Sequence, residues 1–263
     1  MQIKTIIRFS RPHTIIGTVI SITALYAMAC QGNETEHWFL WIRAIVTGLF
    51  CNLFIVGINQ IEDIELDKIN KPNLPLASGE LSLNQAGRMV WTSFWLALLM
   101  AAFIHPILIA VVGISMGIGW AYSCPPLYLR KHHLPAAMSI AVVRGLMVNM
   151  GGYYIFNLLI NEQTSFNKDI LILCLFITLF SIVIAWFKDL PDMKGDSQYK
   201  IKSVALLYTA NGAIAAGHLL LIPAYCYTIW AYQFTSLLSI GHCLLLTGFL
   251  FNTFYLYRSK ERN

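Results

Sequence analysis

Two groups of carboxylates stand out in a chain otherwise poor in charge. Asn59, Asp63 and Asp67 lie at i, i+4 and i+8 in "NQIEDIELD", a spacing that lines their side chains along one face of a helix. Asp189, Asp192 and Asp196 in "KDLPDMKGD" lie at i, i+3 and i+7, again one face if the segment is helical. Pro191 places the end or a kink of the preceding helix near Lys188. The first group alone reads equally well as a solvated helix end with Lys68 and Lys71 as counter-ions, and Glu62 and Glu65 fall off its face toward solvent. Two such clusters on one side of a membrane repel each other unless cations lie between them. Hard oxygen ligands select Mg2+ or Ca2+, and Mg2+ is usually held by one or two carboxylates together with substrate phosphates. The pattern therefore predicts a Mg2+–diphosphate clamp built on Asp63, Asp67, Asp189, Asp192 and Asp196.

The elements that must carry these residues are membrane spans. Of 263 residues 57% are hydrophobic and 12% charged, about half the charge of a soluble domain. Apolar stretches of near-spanning length are read at 12–30, 38–60, 87–104, 106–123, 134–159, 169–188, 202–224 and 236–257. The third and fourth are separated by the His105-Pro106 turn. Runs such as "ILILCLFITLFSIVIAWF" do not alternate, which excludes a β-barrel. The expectation is an all-α, polytopic bundle of about eight transmembrane helices forming one domain over 1–263. A carboxylate-rich loop follows the second span and another the sixth, so two four-helix halves would present them to each other.

With a cytoplasmic N-terminus, fifteen basic residues fall on inner segments and two, Arg43 and Lys168, on outer ones, while Arg144 sits inside a span. This asymmetry predicts that both termini are cytoplasmic. The net charge of +5 then reflects topology and anionic lipid rather than nucleic acid. The six cysteines form no CxxC and read as buried thiols. "LYAMAC" resembles a lipoprotein cleavage site, but cleavage there would discard Arg8 and Arg11, so 12–30 is read as a retained helix.

A diphosphate clamped at the mouth of an apolar helix bundle suits an isoprenyl diphosphate. Ionising its allylic C–O bond requires cations on the leaving group and exclusion of water from the reacting carbon. "NQIEDIELD" and "KDLPDMKGD" resemble the two aspartate motifs of the UbiA superfamily of intramembrane aromatic prenyltransferases. "RFSRPHTIIGT", "NKPNLPLASGE", "AYSCPPLYLRK" and "VVRGLMVNMGGY" are similar to the homogentisate prenyltransferases, most of all the phytyl-transferring branch; the matched segments run from residue 8 to about 202.

The resemblance implies that the five aspartates hold Mg2+ and diphosphate and that Asn59 orients the site. Arg11, Arg130, Lys131 and Lys188 become candidate phosphate cations. Arg130 and Lys131 form an undecided pair, and positive-inside anchoring explains Arg11 equally well. Tyr122 matches a family position near the reacting carbon, where an interfacial aromatic is the equal alternative. Arg144 and Asn149 lie within the fifth span, where polar groups are costly and usually functional. Arg144 is a candidate for the carboxylate of an aromatic acid, for the diphosphate, or for a structural partner, and Asn149 is grouped with it as substrate-binding. Gly113 and Gly117 read as helix packing, His132 and His133 as headgroup-facing, and His13 as a capping or packing residue.

The resemblance implies a nine-helix family fold. With eight spans read here, and "SVALLYTANG" where the family has a glycine-and-lysine segment, the ninth helix is expected to be missing. The expected activity is transfer of a phytyl or similar chain to a ring carbon of homogentisate with loss of CO2, toward tocopherol or plastoquinone. The expected location is a bacterial inner or thylakoid-type membrane. The alternatives are transfer to another aromatic acid such as 4-hydroxybenzoate, a non-catalytic isoprenoid-binding protein, and a transporter. Transport needs charges near mid-membrane, whereas these carboxylates cluster at one surface.

Overall fold

The computed structural model describes residues 3–31, 37–232 and 237–260, with the side chains of the last helix described as far as Phe251. In lipid, backbone polar groups must be paired within the protein, and the apolar stretches of this chain do so as helices. In order these are α1 (Ile3–Phe9), α2 (Pro12–Ala29), α3 (Trp38–Glu62), α4 (Ile64–Asn70), α5 (Leu83–Ala102), α6 (Pro106–Ser123), α7 (His133–Ala141), α8 (Gly152–Asn161), α9 (Lys168–Phe187), α10 (Met193–Gln198), α11 (Val204–Ala231) and α12 (Leu237–Lys260). A ten-residue π-helix, Val142–Gly151, joins α7 to α8 so that 133–161 is one rod.

The helix starts carry recognisable signals. Proline occupies the first turn of α2 and α6, where its missing N–H leaves no hydrogen bond unmade. His105 Nδ1 accepts from the Ile107 N–H at 3.2 Å, which makes the expected break between α5 and α6 a capped start. Ser82 and Gln85 form a capping box at the head of α5.

Helix α3 is the hub, packed on α2, α5 and α6, while α9 packs on α7, the π segment and α11. Between helices in a bilayer, small residues permit close approach. Ala86, Ala97 and Ala101 of α5 are fully buried and join the cluster that contains Phe54 and Ile58 of α3.

The all-α membrane architecture agrees with the sequence; the span count agrees in part. Six helices among the described residues are long and apolar enough to cross a membrane: α2, α3, α6, the 133–161 rod, α9 and α11. Helix α5 has twenty residues, but Asn84, Gln85 and Arg88 make its first turns polar. The apolar part of α12 with described side chains, Leu237–Phe251, is shorter than a span. Helix α11 outruns the expected 202–224 stretch, continuing past Pro223, and is kinked at Thr209 (φ 67°, ψ 163°).

Candidate active site

The two acidic segments converge at one end of the bundle. Helix α3 breaks at Asp63 (φ −102°, ψ 11°), yet the Asp63 N–H still reaches Asn59 O at 3.0 Å and the Asp67 N–H reaches Asp63 O at 2.7 Å. The i, i+4, i+8 alignment therefore survives the break. In the second segment α9 ends at Phe187, a turn follows, and α10 starts after Asp192. The Asp192 N–H donates to Asp189 O at 3.2 Å and the Asp196 N–H to Asp192 O at 3.0 Å, so three carboxylates are presented without a continuous helix.

A hydrogen bond from backbone to side chain clips the segments face to face. The Gly195 N–H donates to Asn70 Oδ1 at 2.9 Å, joining α10 to α4. A Cβ at position 195 would lie 2.4 Å from Asn70 Oδ1 and 2.7 Å from its Cγ, so the approach demands glycine.

Basic side chains interleave the acids. Arg130 forms an ion pair with Asp63, and Lys71 pairs with Asp192. Arg11 Nη2 is 4.0 Å from Asp67 Oδ2, and Lys188 Nζ is 3.8 Å from Asp189 Oδ1. Asn59 Nδ2 donates to Asp63 Oδ2 at 2.8 Å and to Ser123 Oγ at 3.4 Å. The Arg130 turn is tethered to the second acidic segment, because the Lys202 N–H donates to Lys131 O at 2.9 Å and the His133 N–H to Lys202 O at 3.0 Å. Lys131 itself is exposed, so of that pair Arg130 faces the acids.

Asp63, Asp67 and Asp196 are each 4% exposed. Burial pushes the Asp67 and Asp189 carboxyls up against the pull of nearby cations. Asp196 is pushed up to about 6, first by burial and then by Asp189 and Asp192. Burial lowers Arg130, while Asp196, Asp189 and Asp192 act to raise it.

The donors suit a hard divalent ion. Asp63 Oδ1 is buried without a hydrogen-bond partner, an orphaned acceptor of the kind a cation satisfies. Among the described residues no three of these groups converge tightly enough to hold a metal by themselves. That matches Mg2+, whose coordination is usually completed by substrate phosphate and water.

Beneath the acids lies a cavity of about 470 Å³ lined by α2, α3, α6, the 133–161 rod and α9. Arg11, Asn59, Tyr122 and Lys188 line its mouth, and Leu25, Ala44, Leu108 and Phe156 line its far end. Along α2 the lining runs from Arg11 to Leu25, about 21 Å at 1.5 Å per residue. Lys188 Nζ donates to Tyr122 Oη at 2.5 Å, fixing the Tyr122 ring at the mouth. Arg144 also lines the cavity. Asn149 does not: it is buried, and its amide donates to Arg144 O at 2.9 Å and Gly145 O at 3.1 Å. Its side chain shapes the π-helix, in place of the substrate contact expected from sequence.

Residues 20–263 match the model of the UbiA prenyltransferase family. The chain belongs to the UbiA prenyltransferase family. This UbiA chain is 38% identical over 250 residues to homogentisate phytyltransferase of Synechocystis, covering 91% of this chain and 81% of that protein. It is 35% identical over 265 residues to the chloroplastic homogentisate solanesyltransferase of Arabidopsis thaliana, covering 96% and 68%. Its fold is similar to a UbiA homolog from Archaeoglobus fulgidus bound to GPP and Mg2+ (TM-score 0.71, 16% identity, 97% of this chain and 87% of that one). It is also similar to the apo UbiA homolog from Aeropyrum pernix K1 (TM-score 0.71, 19% identity, 94% and 91%).

Three site features escape the sequence. Asn70 and Gly195 form a clip across 125 positions that no local pattern announces, and Ser123 reaches Asn59 from α6. Lys71, readable as a counter-ion of the first motif, serves Asp192 of the second.

Proposed function

We propose that the protein is a Mg2+-dependent aromatic prenyltransferase. It moves a phytyl or similar chain from its diphosphate to a ring carbon of homogentisate with loss of CO2, toward a prenylquinone or tocopherol precursor. The observation that carries this reading is the placement of two facing carboxylate segments and their cations over the mouth of a long apolar cavity. The similarity to homogentisate prenyltransferases supports the acceptor and the chain type.

Asp63, Asp67, Asp189, Asp192 and Asp196 would hold the metal, with Asn59 orienting Asp63. Bound Mg2+ supplies charge stabilisation to the departing diphosphate. Arg11, Arg130 and Lys188 place cations at the same rim, where their fixed donors act on developing negative charge. The apolar cavity takes the prenyl tail and excludes water. Tyr122 presents its ring at the mouth, where its electron-rich face favours positive charge on the allylic carbon. The allylic C–O bond breaks with its electron pair leaving on diphosphate, and an aromatic carbon donates the pair of the new C–C bond. The pair of the C–COO− bond stays on the methylene carbon as CO2 leaves, the alkylated ring carbon loses its proton, and the methylene takes up a proton to become a methyl group.

One domain over 1–263, eight crossings including α5 and α12, and both termini on the cytoplasmic side complete the proposal. The setting would be a bacterial inner or thylakoid-type membrane. The test is a product assay in vesicles, crossing several prenyl diphosphates with ring- and carboxyl-labelled aromatic acids. The expected result is prenylated product with labelled CO2 from homogentisate. A product that keeps the carboxylate would move the acceptor to the hydroxybenzoate type. Donor binding with no product from any acid would leave a binder rather than an enzyme.

A further inference from the structure

Three cations line the cavity: Arg11, Lys188 and Arg144. The first two are engaged at the mouth, with Asp67 and with Tyr122 and Asp189. Arg144 differs. Among the described residues its guanidinium has no carboxylate within ion-pair distance. Arg130, by contrast, lies in the field of Asp189, Asp192 and Asp196. Arg144 lines the cavity from within the 133–161 rod.

The backbone is built to hold Arg144 there. It lies in the π-helix Val142–Gly151, and π turns recur at functional sites. Asn149 binds the carbonyls of Arg144 and Gly145. Gly145 sits so close to α9 that a Cβ would fall 2.8 Å from the Thr178 Cα. Arg144 is exposed and lines the cavity. Four hydroxyls of the wall are committed elsewhere: Thr14, Thr18, Ser115 and Ser139 each bond a carbonyl of their own helix or its first turn. An unpaired guanidinium in an apolar wall is costly unless an anion completes it, and its planar fork matches a carboxylate in two parallel hydrogen bonds.

We infer that Arg144 is the anchor for the carboxylate of the aromatic acceptor, an anion site separate from the diphosphate clamp. The inference rests on the prenyltransferase reading above and names the chemistry of its second substrate. A small aryl or arylacetic acid held there turns its ring toward the mouth, where the allylic carbon is presented. Loss of CO2 removes the charge that Arg144 grips, so the product no longer has this anchor.

The experiment compares homogentisate with its methyl ester, which keeps the ring and loses the anion, in wild type, Arg144→Gln and Arg144→Lys. Initial rates with the acid are measured in vesicles with Mg2+ and a saturating prenyl diphosphate, and the preference between the acid and the ester, which cannot lose CO2, is read from equilibrium binding of the two labelled compounds. Wild type should prefer the acid, and Arg144→Gln should raise KM for the acid about 100-fold, as for truncating one member of a desolvated charge pair. The variant should lose the preference for acid over ester, with KM for the prenyl diphosphate within about three-fold of wild type. Arg144→Lys should recover part of the preference. Equal binding of acid and ester by wild type overturns the inference whether or not any variant folds. A variant whose defect appears in KM for the diphosphate also overturns it, by assigning Arg144 to the donor. Arg144-dependent binding of the acid without product from any acceptor would instead sink the catalytic reading and leave the anion site standing.

Discussion

Substituting Asp63 by Asn tests the clamp at one of its buried carboxylates. The side chain is 4% exposed, pairs with Arg130, accepts from Asn59, and keeps one oxygen without a partner. Asparagine retains the size but removes the charge, and its amide presents N–H groups where Asn59 already donates. Breaking a buried pair by removing one member costs about 3–5 kcal/mol when nothing replaces it. Arg130 also lies in the field of Asp189, Asp192 and Asp196, so the loss of fold stability should sit at or below the lower end of that range. Turnover has no such substitute, because the lost contact acts on the leaving group. The expected fall in kcat is about 100-fold or more, the scale of losing one strong transition-state electrostatic contact. The assay is product formation in vesicles over a Mg2+ titration, with Asp192→Asn in parallel and Glu65→Gln as the exposed control, expected within a few-fold of wild type. Excess Mg2+ should rescue the aspartate variants in part if their defect is metal affinity. Near-normal transfer by both Asp63→Asn and Asp192→Asn would refute the clamp.

Gly195→Ala places a methyl 2.4 Å from Asn70 Oδ1 and pushes that side chain out of the clip, which should lower kcat by about 100-fold. A comparable loss in Asn70→Ala is the expected check, and unimpaired turnover in both variants would discard the clip. The raised Asp196 carboxyl holds its proton up to about pH 6, so its contribution to the stability of the metal-free fold is present at low pH and is lost as pH rises through that value. Because Mg2+ must displace that proton, the Mg2+-induced rise in Tm should be larger at pH 7.5 than at pH 5.5; equal rises would exclude the coupling. Reporter fusions before residue 3 and after residue 260 should respond alike if the crossings number eight, and opposite responses would mean that α5 or α12 does not cross.

What the sequence made legible follows from periodicity and charge. Both carboxylate motifs, the capped break at His105 and the mouth positions of Arg11, Asn59, Tyr122 and Lys188 were readable because each is local: a spacing, a turn signal, a polar residue ending an apolar run. Pro191 correctly signalled that the second motif leaves its helix. Contacts across the fold were hidden. Nothing near Lys71 announces that its partner is Asp192, and nothing near Asn70 points to Gly195. Asn149 lies inside a span, where a polar residue suggests a ligand, whereas its amide donates to the Arg144 and Gly145 carbonyls of its own helix. The span count is blurred for a physical reason too: α5 has the length to cross but starts on Asn84, Gln85 and Arg88.

The pairing of acids with bases at the rim has a consequence for life among phospholipids. Asp63, Asp67, Asp189 and Asp192 each have a basic neighbour, and Asp196, raised to about 6, ionises less readily than a free carboxyl. The resting rim is close to electroneutral, so a lipid headgroup, arriving with one phosphate and no divalent ion, gains little from displacing those pairs. A diphosphate arriving with Mg2+ offers the acids a cation and the bases an anion in the same event. Binding of metal and donor are therefore linked, each raising the affinity for the other. The rim thus acts as a coincidence detector, able to select a scarce prenyl diphosphate from the abundant phosphates of the surrounding leaflet.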